Sequence, residues 1–195
     1  MKRPALLLLL LAVSAGIARA DDKSPREYLD DRTAATITVV AEPMVFAAAR
    51  PDLAANVRDY VTLAAAAVDR SGQVSYVLIA YYWSTVDPWL RREPLRAPEP
   101  LPLQADDRRI RLTSLGQTAR EAGIGLAVHA PAGSDVPPHT YPTDLATLRY
   151  ICEARHLSIV VDTQVEPLGA FELWQDGRAA LREFVRHVSD ASPTR

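Results

Sequence analysis

The sequence predicts an α+β fold: a mainly antiparallel sheet built from hairpins, with two C-terminal helices packed on it. Three observations carry this. Val74 to Thr85 (VSYVLIAYYWST) is rich in β-branched and aromatic residues, and Asp69-Arg70-Ser71-Gly72 just before it has tight-turn chemistry. Leu101 to Gln104 and Arg109 to Thr113 flank Ala105-Asp106-Asp107, and Ile110 and Leu112 alternate with Arg109 and Arg111, as in a strand with one wet face. Near the C-terminus, Ala180, Leu181, Phe184, Val185 and Val188 fall on one face of a helix.

Taken in order, Asp21 to Arg32 is charged, and residues 21–34 are expected to be a flexible arm before a single α+β domain over 35–190. Thr36 to Ala41 (TITVVA) reads as a strand, with Pro43 interrupting it and Met44-Val45-Phe46 resuming it as at an edge or bulge. Residues 52–68 stay open between helix and strand. Leu53, Val57, Tyr60, Val61, Ala64 and Val68 have helical spacing, and four consecutive alanines favour helix. The turn at Asp69–Gly72 instead makes Tyr60 to Val68 the hairpin partner of the following β run. The hairpin is the reading adopted, with 51–57 as a turn or short helix.

Five prolines make 88–102 an extended loop, and Pro131, Pro137, Pro138 and Pro142 mark a second one. Between them, Ile124 to His129 reads as a strand. Thr143 is expected to cap a helix from Asp144 to about Arg155, with Leu145, Leu148, Ile151 and Cys152 as its apolar stripe. Leu157 to Val161 and Ala170 to Trp174 read as strands, and Asp176 as the cap of the last helix.

Of 195 residues, 48% are hydrophobic and 24% charged, which excludes a disordered chain. A net charge of −2 argues against a nucleic-acid partner. One cysteine excludes an internal disulfide and any thiolate-rich metal site. Residues 1–20 have the pattern of a cleaved signal peptide. Lys2 and Arg3 precede six leucines, Ala18-Arg19-Ala20 is a cleavage site, and Ser14, Gly16 and Arg19 keep the apolar run too short to span a membrane. The expectation is a periplasmic or secreted protein cut after Ala20, with no membrane span afterwards.

Four markers go further: Arg58-Asp59-Tyr60, Asp69-Arg70-Ser71-Gly72, Tyr82-Trp83-Ser84 and Trp174-x-Asp176-Gly177-Arg178. With the segments around them the chain resembles a family of small exported proteobacterial proteins of unassigned function. The resemblance implies export and a single domain, and carries no catalytic residue or ligand with it.

No complete catalytic constellation is present. Cys152 and His156 lie four apart, but Cys152 belongs to an apolar stripe, so it reads as a buried small hydrophobe rather than a nucleophile. His129, Asp135 and His139 surround the second Pro-rich loop and are the candidate metal ligands, though their spacing matches no known cage. Ser134-Asp135 lacks a nucleophile elbow, and Gly123-x-Gly125 lacks the rest of a dinucleotide fingerprint. Among the aromatics, Tyr82 and Trp89 are the candidate ligand contacts, against a reading of 76–83 as a central strand buried on both faces. The arginines at 91–92 and 108–111 read as solvated faces. No cofactor is expected. The function expected is a non-enzymatic binding or envelope-assembly module with an envelope or periplasmic protein as partner. The alternative is a hydrolase or metal-dependent enzyme using the loop around His129 and His139.

Overall fold

The computed structural model describes residues 23–86, 99–132, 137–160 and 170–191. The signal-like segment 1–20, Trp89, Arg91, Arg92, Ser134 and Asp135 lie outside the described residues. Over the described residues the architecture is α+β, an antiparallel sheet of ten strands with two helices. In chain order the strands are β1 (Arg26–Asp30), β2 (Ala35–Val39), β3 (Met44–Ala49), β4 (Arg58–Arg70), β5 (Gln73–Ser84), β6 (Leu101–Ala105), β7 (Arg108–Leu112), β8 (His139–Thr143), β9 (Leu157–Ile159) and β10 (Phe171–Gln175). Helix α1 (Leu145–Glu153) lies between β8 and β9, and α2 (Arg178–Ala191) follows β10.

The β4–β5 hairpin is the spine. Its ladder runs from Asp59↔Ser84 to Arg70↔Gln73. Ser71 and Gly72 close it with φ of 54° and 85°, both in the left-handed region that a tight hairpin turn requires. The Asp69 carboxylate accepts the Gly72 N–H at 2.7 Å. The strand reading of residues 60–68 is therefore the one the structure takes. The four alanines are tolerated in β4 because neighbours press on both of its faces.

The other edge of β4 carries both β2 and β3. From Val39↔Ala66 to Met44↔Leu63 one strand advances five residues while its partner advances three. The surplus forms a bulge at Val40–Pro43, where Pro43 has no N–H to pair. Beyond β2 lies β1. Beyond β3 lie β10, β9, β6 and β7 in that order, and β8 borders β5 on the far side. The sheet twists until β7 comes near β8.

One face, here the inner one, carries Phe46, Leu63, Leu78, Leu103, Tyr141 and Ile159, all fully buried. The two helices pack against this core through Leu148, Ile151 and Cys152 of α1 and Ala180, Leu181, Phe184, Val185 and Val188 of α2. They run antiparallel: Arg182 donates to the Cys152 carbonyl at one end, and Arg149 reaches Ser189 at the other.

Several expectations are corrected. The arm 21–34 contains β1, paired with β2 from Arg26↔Val39 to Asp30↔Ala35. The second Pro-rich stretch contains β8, whose Pro142 lies opposite Val77. Residues 124–129 form no strand. Asp144, not Thr143, caps α1, accepting the Thr147 N–H at 2.7 Å. Residues 51–57 form turns, the first of the two forms expected of them.

Candidate functional site

The outer face is divided. Residues 113–132 lie over the part built by β1, β2 and the second half of β4. Ile124 and Val128 are buried there, and Gly123 lies close to the Val68 and Arg70 side chains of β4. A side chain of the edge strand and a backbone carbonyl of the sheet hold the segment down. The Asp30 carboxylate accepts N–H groups from Arg32 at 3.0 Å and Gly125 at 2.7 Å. Those bonds, the Arg32 bond foremost, keep the Asp30 carboxyl below the usual carboxylate range. A Cβ at position 125 would fall on the Asp30 carboxylate and push it from its place, so glycine keeps this bond short. The His129 ring pairs through Nε2 with the Val40 carbonyl at 2.7 Å, and its backbone sits at φ 52°.

The remaining part of the outer face, from β6 to the end of β5, is reached by that segment at its Trp83 end, through residues 129–132, and has no such cover elsewhere among the described residues. Its cross-strand register places six residues in one line: Gln104, Ser158, Glu172, Ala47, Tyr60 and Trp83. Directly opposed residues of an antiparallel pair point to the same side, so these six share a face. Tyr60 and Trp83 stack, with ring centroids 4.2 Å apart and planes 10° from parallel. The indole N–H of Trp83 donates to Thr62 Oγ1 at 2.9 Å, which fixes the ring. Trp174, at the β10 bulge, is 61% exposed, and the Arg58 guanidinium lies 4.7 Å from its ring centroid. Below the pair, Ser84 donates to Asp59 at 2.6 Å and Arg50 donates to the same carboxylate at 2.9 Å, tying β3, β4 and β5 together.

Two clefts open at the ends of this line. One, of about 370 Å³, is lined by Val45, Thr62, Trp83, His129 and Pro131 among others. The other, of about 200 Å³, is lined by Gln104, Asp106, Arg155, His156, Ser158 and Glu172 among others. Asp106 accepts the His156 N–H at 2.8 Å and the Arg155 N–H at 3.0 Å; the His156 bond foremost keeps its carboxyl low.

The residues singled out from sequence fall elsewhere. Tyr82 is on the inner face, 3% exposed, edge-on to His139 with centroids 5.7 Å apart. The Tyr82 and Tyr141 hydroxyls are both buried without a hydrogen-bond partner among the described residues. Burial pushes both phenols up, Tyr141 to about 12, so both are neutral at physiological pH. His139 pairs opposite Ala80 on that inner face, whereas His129 stands over the outer one. The two histidines are thus on opposite sides of the sheet. Among the described residues no group of three or more His, Cys, Asp or Glu comes together as metal ligands. Cys152 is free, 1% exposed, and its thiol is pushed up by burial, as its place in the apolar stripe implies.

Tyr60, Glu172 and Trp174 escape a reading of the sequence as a functional group. Trp83 stands in the right strand but reads there as core. The missing signal is the register of β10 on β3, a pairing of residues about 125 apart in sequence that no local pattern encodes. Comparison with family models, with curated proteins and with solved structures finds no match to this chain.

Proposed function

We propose that this protein is an exported, non-enzymatic binding module of the cell envelope whose ligand site is the uncovered part of the outer sheet face. The observation that carries the reading is the Tyr60–Trp83 stack, half-buried and rigidly placed beside a cleft, with the largely exposed Trp174 on the next strands. Aromatic rings bury large area at low conformational cost, and exposed ones held in place on a sheet suit recognition better than stability. Export is supported by the signal-like pattern of residues 1–20 and by the resemblance to small exported proteobacterial proteins. The periplasm is the address that follows, with an envelope component as partner.

The test uses the exported protein, immobilised and exposed to periplasmic and envelope extract beside its Trp174→Ala and Trp83→Phe variants. One or more components retained by the native protein should be reduced by the variants, with unchanged circular dichroism. Equal retention by native and variant proteins, or turnover of a substrate by the native protein, contradicts the reading. Mass analysis of the exported chain should give Asp21 as its first residue.

A further inference from the structure

We propose that the ligand is a neutral polysaccharide chain laid across the strands, along the line from Gln104 to Trp83. This rests on the preceding reading and names the class of ligand. A sugar ring offers an apolar C–H face and an edge of hydroxyls. The line offers partners for both. At one end stand the stacked Tyr60 and Trp83 rings, with the exposed Trp174 ring nearby. At the other stand an amide, a hydroxyl and a carboxylate, from Gln104, Ser158 and Glu172, which between them donate and accept hydrogen bonds.

Geometry separates this from other ligands. The line crosses five strand spacings, roughly 24 Å, which suits several sugar units rather than one. The clefts at its ends are open features of about 200 and 370 Å³, not a single enclosing pocket. An extended peptide meets a sheet by adding a strand along an edge, in the strand direction. This line instead runs perpendicular to the strands. The charges beside it are of both signs, with Glu172 and Arg155 lining the same cleft and Arg58 over Trp174, so no single-sign field selects a charged polymer.

The test is calorimetric titration of the exported protein with β-1,4-linked hexamers of glucose and of N-acetylglucosamine, and with the corresponding dimers. At least one hexamer should bind more tightly than its dimer. Trp174→Ala and Glu172→Ala should each weaken that binding roughly three- to tenfold, with the thermal midpoint little changed. The hexamer that binds identifies the sugar. If neither hexamer binds while Trp174→Ala still abolishes retention of an envelope component, the polysaccharide proposal is overturned and the binding-face reading stands. If a hexamer binds equally well to native protein and both variants, both are overturned.

Discussion

The two parts of the outer face use one sheet in opposite ways. Toward β1 and β2, the outward residues of β4 are Ala64, Ala66 and Val68, without large rings, and residues 113–132 settle over this part with Gly123 beside Val68 and with Ile124 and Val128 buried. Toward β10, the outward residues are large or polar, Tyr60 and Trp83 beside Glu172, Ser158 and Gln104, and residues 129–132 reach this part at the Trp83 cleft, leaving the rest without a covering segment among the described residues. Small residues let a chain approach closely enough to bury its own apolar groups. Large rings pinned by a stack and by the Trp83–Thr62 hydrogen bond keep the surface open. With the proposed function, the difference gives stability to one part and recognition to the other.

The comparison breaks most readily in the covered part. Ile124→Ala, which removes a fully buried side chain, should cost about 2–5 kcal/mol, read as a lower urea midpoint at constant slope. Asp30→Ala leaves the Gly125 N–H without its partner and should destabilise by about 1–3 kcal/mol, with faster amide exchange in residues 123–128 than in β4. Trp174→Ala, in the open part, should stay within about 0.5 kcal/mol of the native protein, because that ring is mostly in water. An effect on stability as large as that of Ile124→Ala would make the open part structural too.

Acid sharpens the same contrast. The carboxyls of Asp30, Asp106 and Asp144 are held low by backbone N–H donors, from Arg32, His156 and Thr147 foremost. A depressed folded-state pKa contributes stability that is fully present above the unfolded value, near 3.9, and is lost as pH falls through the folded value. Stability should therefore be flat, as far as these groups are concerned, from pH 7 to about 5 and fall below about 4. Asp30→Ala should flatten part of that fall. The smallest effect concerns the thiol. Cys152 should label slowly in the native protein and rapidly once denatured, and Cys152→Ala should be mild.

How far the sequence reaches follows the same division. Strand β5, the turn before it and both helices can be read directly, because β-branched residues, turn chemistry and helical spacing are local signals, whereas the four alanines of β4 leave residues 52–68 open between helix and strand until the pairing with β5 decides. The bulge at Pro43 follows from its missing N–H. Residues 124–129 mislead: Ile124, Leu126 and Val128 alternate as a strand would, but Leu126 is 62% exposed and the flanking polar groups bond to Asp30 and Val40 instead of to a ladder. The charged sequence of β1 hides a strand whose partner supplies the order, and the prolines around 137–142 hide β8. The site is the least visible, since Tyr60, Glu172 and Trp174 become neighbours only through strand pairings distant in sequence.

The account turns on whether the open part of the outer face meets the ligand. Amide and indole chemical shifts of the protein, mapped during titration with the two sugar hexamers, read this directly. The expected result is that the largest shifts fall on Gln104, Ser158, Glu172, Tyr60 and Trp83 and on the Trp174 indole, while α1, α2 and residues 119–128 stay still. Shifts concentrated on the helices or on residues 119–128, or none in either titration, would contradict it.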